Sequence, residues 1–139
     1  MVTREEHETR QRFRDRYGED RPDALVQIER AVIGADWGAD GYTTRRQADQ
    51  LADALRLAPS VWLLDIGSGR GWPGLYLAAS TGCRVVLSDV PLEGLRAAVA
   101  RAATDRFAGG AVAAVAASAR ALPYRAGTFD AVVHADVLC

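Results

Sequence analysis

The stretch Leu64-Asp65-Ile66-Gly67-Ser68-Gly69-Arg70-Gly71-Trp72-Pro73-Gly74 restricts what this chain can become more than any other. An apolar run, Val61–Ile66, feeds straight into a glycine-rich turn, and Pro73 suits the first turn of a helix behind it. Glycines let the backbone approach a ligand closely, and the free N–H groups of a helix N-terminus attract its polar parts. Strand, tight turn and helix in that order predict a nucleotide-like ligand beyond the carboxyl end of a parallel strand.

The surrounding pattern supplies the sheet. Short continuous apolar runs at Val61–Ile66, Val85–Leu87, Ala111–Val115 and Ala131–Val133 read as buried strands, with helices predicted at Pro73–Ser80 and Pro91–Thr104. A β-α-β-α-β series with right-handed crossovers gives an α/β fold, a parallel sheet with helices on both faces. The segment 108–121 is alanine-rich, so helix and strand both stay open there.

Three helices are predicted upstream. Thr3 and Glu6 form a capping box for a helix ending at Gly18; its apolar content is thin, chiefly Phe13 and Tyr17, so it is expected to lie on the surface or to await a partner. Pro22 opens a second helix closed by Gly34, with Leu25, Ile28 and Val32 as its expected core face. After a loop over 35–42, Thr44 and Gln47 make another capping box, and Ala48, Leu51, Ala52 and Leu55 a buried stripe ending near Pro59. The expected organisation is an N-terminal helical extension, 1–41, and a ligand-binding domain, 42–139.

Bulk properties exclude several functions. At 139 residues, 49% hydrophobic and 25% charged, the chain suits one soluble domain. A net charge of −1 with mixed signs offers no field to draw in nucleic acid or an acidic membrane. No apolar run approaches the roughly 18 residues of a membrane span, and the densely charged first segment excludes a secretory signal. Cys83 and Cys139 are the only cysteines and lack ligand spacing, which implies no metal site, no disulfide framework and a cytoplasmic setting.

A second acid follows the second strand. In Val85-Val86-Leu87-Ser88-Asp89-Val90-Pro91, the Asp89 carboxylate can accept both hydroxyls of a ribose. The alternative is that Asp89 caps the next helix, although with Pro91 as the first helical residue the cap falls on Val90. The dinucleotide fingerprint requires Gly-x-Gly-x-x-Gly, and Trp72 stands where its last glycine belongs.

These residues resemble the first motif of class I S-adenosylmethionine-dependent methyltransferases, similar to Leu-Asp-Ile-Gly-Ser-Gly-x-Gly, with Asp65 as the acid two places before the first glycine. A carboxylate is repelled by a pyrophosphate, whereas the sulfonium and ammonium groups of S-adenosylmethionine are cationic. A strand-end Asp bonding the glycine turn is the plainer role for Asp65, and both can hold at once. A second block, Ser118-Ala119-Arg120-Ala121-Leu122-Pro123-Tyr124 through Phe129-Asp130-Ala131-Val132, resembles the family's acid-Ala-x-x-Leu-Pro-Phe and Phe-Asp-x-Val pattern. Ser118 replaces the family's Asp near the adenine amino group, but its hydroxyl can still accept a hydrogen bond, and Ala119 would offer its N–H.

The resemblance implies a Rossmann-like sheet that holds S-adenosyl-L-methionine through Asp65, Gly67, Ser68, Gly69, Gly71, Asp89, Val90, Ser118 and Ala119. Tyr42, with Thr43, resembles the region that closes over the methionine end; an ordinary loop contact is the alternative. The backbone of His134, at the end of the fourth strand, would reach the donor's amino group, with Asp136 nearby. Arg70 and Trp72 either line the site or are a solvated Arg and a packed Trp. No residue is identified as a general base. Enzymes that methylate base amino groups carry Asn/Asp-Pro-Pro-Tyr/Phe after the fourth strand; Ala135-Asp136-Val137-Leu138 here implies a small-molecule acceptor instead. The family sheet has seven strands, so the resemblance implies a domain truncated after about the fourth, with an exposed sheet edge prone to self-association. A noncatalytic S-adenosylmethionine-binding or interaction module is the alternative function. An NAD-dependent oxidoreductase fragment is a third, disfavoured by Trp72 and Asp65.

Overall fold

The computed structural model describes residues 3–104, 110 and 112–137; Ala111, Leu138 and Cys139 of the sequence-based expectations lie outside them. Its elements are α1 (Arg4–Gly18), α2 (Asp23–Ile33), α3 (Arg45–Ala54), β1 (Trp62–Ile66), α4 (Gly74–Thr81), β2 (Arg84–Asp89), α5 (Leu92–Ala102), β3 (Val112–Ala116) and β4 (Ala131–Val133).

Both capping boxes form. Thr3 accepts the Glu6 N–H at 3.2 Å while the Glu6 carboxylate accepts the Thr3 N–H at 2.7 Å. Thr44 and Gln47 repeat the exchange at 3.2 and 2.8 Å. Each pair satisfies two backbone donors that the helix start would otherwise leave open. Pro22, Pro73 and Pro91 sit at N-cap positions, one residue before the helices they were expected to begin. A proline has no N–H to satisfy at either place, so sequence alone fixes those starts only to within a residue.

The four strands form one parallel sheet in the order β3-β2-β1-β4, the Rossmann-like arrangement. Register puts Leu63 beside Val85 and Ala131, and Val85 beside Val112. One step on, Asp65 aligns with Leu87 and Val133. These residues share one face by strand alternation, and Ala48 of α3, Leu75 and Leu77 of α4, and Leu95 and Ala98 of α5 pack on it to form the core. The expectation of helices on both faces is thereby corrected: among the described residues α3, α4 and α5 all join this one face. The reason is topological. The crossovers β1-α4-β2 and β2-α5-β3 step the same way along the sheet, so right-handedness places both helices on one side. The connection from β3 to β4, residues 117–130, steps back the other way and contains no helix.

The predicted core face of α2 is also corrected. Leu25, Ile28 and Val32 are 51%, 58% and 67% exposed, while Glu29 and Ile33 are buried. Hydrogen bonding sets the rotation of this helix. The Glu29 carboxylate accepts the N–H groups of Trp37 and Ala39 at 2.7 and 2.9 Å and pairs with Arg21, satisfying a loop that has no secondary structure of its own. No helix among the described residues is long and apolar enough to cross a membrane.

Candidate ligand-binding site

The glycine turn leaves β1 and folds back on the end of β2. Gly67 and Ser68 donate their N–H groups to the Ser88 carbonyl at 2.7 and 3.2 Å, and Gly71 donates to the Ser68 carbonyl at 2.7 Å. Gly67, Gly69 and Gly71 have φ of +70°, +51° and +111°, conformations that L side chains rarely adopt. Asp89 holds the turn from β2: one carboxylate oxygen accepts the Gly69 N–H and the other the Val90 N–H, each at 2.7 Å. It does not cap α5, whose N-cap is Pro91. Burial raises the Asp89 pKa, and the two N–H donors oppose that shift. Each oxygen retains accepting capacity for a further donor.

Asp65 lies one layer deeper, on the core face of β1. Its Oδ2 accepts the N–H of Gly74, the first residue of α4, at 3.0 Å. A Cβ at Gly74 would stand 2.5 Å from that oxygen, so glycine is needed for the strand end and helix start to meet. Among the described residues, Asp65 Oδ1 and Ser68 Oγ are buried without a hydrogen-bond partner. Burial drives the Asp65 carboxyl well above the usual carboxylate range; the Gly74 N–H works against this, and the negative charge of Asp89 adds to it. A cation brought to this carboxyl would relieve the cost of ionising it.

Two side chains that the sequence did not single out for the site stand against the turn. A Cβ at Gly69 would lie 3.0 Å from the hydroxyl of Tyr17 on α1, and one at Gly67 would lie 2.5 Å from Cγ2 of Val137. Arg70 is not the solvated side chain that the sequence allowed. It is 6% exposed, donates to the carbonyls of Arg16 and Glu19 at 2.7 and 2.9 Å, and lies 5.7 Å from the Tyr17 ring centroid. Sequence reasoning had no signal for this, because the partners are separated by some fifty residues. Trp72 is packed, and its indole N–H donates to the Thr43 carbonyl at 2.9 Å.

The structure therefore brings Asp65, Gly67, Ser68, Gly69, Gly71, Asp89 and Val90 together. The chain beyond β3 joins them where the Ala117 N–H donates to the Asp89 carbonyl at 2.9 Å. Ser118 follows, half-buried, its hydroxyl accepting the Arg120 N–H at 3.2 Å, and Ala119 is exposed. Tyr42 is 85% exposed and turns into solvent instead of over the turn. Its neighbour Thr43 makes the cross-connection, donating its N–H and hydroxyl to the Asp136 carboxylate at 3.1 and 2.8 Å. His134 is exposed just past β4. Two clefts of about 710 and 550 Å³ open beside α1 and α2, and neither is lined by Asp65, Gly67, Gly69 or Asp89.

A sequence model of the family described as "Methyltransferase domain" matches residues 63–139. Among solved structures, the chain is similar to the [4+2]-cyclase SpnF, at 29% identity over 69% of this chain and 37% of that one, with a TM-score of 0.53. It is also similar to coclaurine N-methyltransferase bound to N-methylheliamine and SAH: 15% identity, 96% and 43% covered, TM-score 0.58. A third is Haemonchus contortus phosphoethanolamine N-methyltransferase 1 in complex with phosphoethanolamine and S-adenosylhomocysteine: 22% identity, 95% and 26% covered, TM-score 0.57. The latter two likenesses concern the fold alone. The chain spans less than half the length of each of the three. No curated protein sequence matches it.

Proposed function

Because this chain belongs to the methyltransferase domain family, we propose that it binds S-adenosyl-L-methionine at the glycine turn and serves methyl transfer to a small-molecule acceptor. The observation that carries this reading is the buried, unpartnered Oδ1 of Asp65 beside a turn whose three glycines hold left-handed conformations. An orphaned carboxylate oxygen suits a cationic ammonium group, and a backbone without side chains suits close approach of the ligand. The residues present thus fit the cofactor.

In this reading Asp65 receives the amino group, Gly67, Ser68, Gly69 and Gly71 form the floor, and Asp89 accepts the ribose hydroxyls while keeping its bonds to the turn. Val90, Ser118 and Ala119 border the adenine and the His134 backbone the methionine end, whereas Tyr42, turned into solvent, takes no part. Bound there, S-adenosyl-L-methionine supplies an electrophilic methyl group on a sulfonium. The chain's contribution is alignment, which is worth up to roughly 7–11 kcal/mol in favourable cases. The small-molecule acceptor rests on Ala135-Asp136-Val137 standing where a base-methylating motif would be.

A second reading, a module that binds the donor without transferring its methyl group, is favoured by one observation. A neighbour at 29% identity carries the name of a cyclase rather than a methyltransferase.

Calorimetric titration of the chain with S-adenosylhomocysteine and, separately, NAD tests the cofactor, with Asp89→Asn as control. Selective binding of the first ligand, weakened in the variant, is expected; binding of NAD alone would overturn the proposal. Methyl transfer from labelled donor to a panel of small amines and alcohols then separates the two readings.

A further inference from the structure

Helix α2 carries its apolar face outward. At the helical period, Ala24, Leu25, Ala31 and Val32 all project within roughly 60° of Ile28. Asp23 and Arg30 lie on the opposite side of the helix, and Glu29, at the border of the sector, is buried in its bonds to the loop. All five apolar residues are exposed. A sector this wide ordinarily faces a core. Here it meets solvent because the bonds of Glu29 to Trp37, Ala39 and Arg21 fix the rotation of the helix. Tyr42, itself 85% exposed, borders the same cleft of about 550 Å³ as Leu25, Ile28 and Val32, so the patch runs on from the helix to the loop before α3. Contiguous apolar patches of this kind mark interaction surfaces.

The pattern is self-complementary. Ala24 and Leu25 stand a turn before Ile28, and Ala31 and Val32 a turn after it; the two alanines lie to one side of Ile28 and the two larger residues to the other. In a second copy running antiparallel about a two-fold axis at Ile28, each side meets its like. Ala24 comes level with Ala31 of the second copy, and Leu25 with Val32. The alanines let the two backbones approach closely, while Leu25 and Val32 fill the other side. Charge favours the same direction. Asp23 is in the first turn of α2 and Arg30 in the last, so antiparallel copies set the acidic start of one helix toward the basic end of the other and oppose the two helix dipoles. A parallel pair would bring like charges together.

We propose that the outward face of α2, extended by Tyr42, is a docking surface for a second copy of this chain, paired antiparallel about Ile28. The surface is distinct from the sheet edge at β4 and does not depend on what the glycine turn binds. One helix face and one loop residue make an interface at the small end of the range for specific complexes. Pairing is therefore expected at micromolar concentrations and is lost at the dilution of a fluorescence assay.

Sedimentation equilibrium of the full chain at tens of micromolar should give twice the mass of one chain, falling to a single mass on dilution. Ile28→Glu sets two carboxylates against each other on the two-fold axis and should weaken pairing about a hundredfold or more. Because Ile28 lies outside the core, that variant should keep the wild-type circular dichroism spectrum. Crosslinking in a Cys139→Ser background reads direction and register, since Cys83 is buried. Ile28→Cys should form a disulfide between copies on mild oxidation, whereas Arg30→Cys, on the opposite side of the helix, should not. A chain that stays single at these concentrations overturns the proposal. So does a dimer that survives Ile28→Glu, which would place the contact elsewhere, such as the β4 edge, and so does an Ile28→Cys chain that fails to crosslink.

Discussion

Asp89 is expected to stabilise the fold as well as bind a ligand, and the two contributions separate experimentally. Its carboxylate accepts the N–H groups of Gly69 and Val90, both at 2.7 Å. Hydrogen bonds to charged groups contribute about 1.5–3 kcal/mol each. Burial of the carboxylate offsets part of that gain, as its raised pKa indicates, so the lower end of the range applies. Asp89→Ala leaves both donors without an acceptor and should cost about 3 kcal/mol. Asp89→Asn keeps one accepting oxygen and turns an amide NH2 toward the other N–H, so it should cost about half as much. Urea unfolding followed by tryptophan fluorescence reads both losses as a fall in midpoint at constant m-value. An Asp89→Ala variant within about 0.5 kcal/mol of wild type would refute the claim that this carboxylate holds the turn. So would equal losses in the two variants, because the argument depends on counting acceptors.

Two further expectations concern buried acids. The folded Asp65 pKa lies above its ordinary 3.8, so its favourable contribution relative to Asp65→Asn is present below that value and is lost as pH rises through the folded pKa. Unfolding free energies of the pair between pH 4 and 8 should accordingly favour the Asn variant increasingly toward neutrality; parallel curves would rule out a burial-raised carboxyl. Glu29→Ala strands the N–H groups of Trp37 and Ala39 and removes the partner of Arg21, for a loss of about 3 kcal/mol on the same urea assay. Leu25→Ala on the exposed face of the same helix should stay within about 0.5 kcal/mol, the reverse of the order that hydrophobic patterning predicts.

What the sequence by itself determined was local or periodic. The capping boxes at Thr3 and Thr44 form because their partners are three residues away. The four strands appear where apolar runs are bounded by turn residues; the inner two, β1 and β2, bury a largely apolar middle between neighbours, while β3 at the edge keeps its residues partly exposed. The glycine turn was legible because a positive φ and an uncovered backbone both demand glycine, and Asp89 because it ends the strand beside that turn. Tertiary structure decided whatever depends on residues far apart in the chain. The rotation of α2 follows Glu29 and a loop it satisfies, against the helix's own hydrophobic pattern. Arg70 turns away from solvent to the end of α1, Tyr17 comes to rest over Gly69, and Thr43 rather than Tyr42 makes the contact across to Asp136. Each of these is a long-range hydrogen bond or steric fit, and neither leaves a period in the sequence from which it could be read.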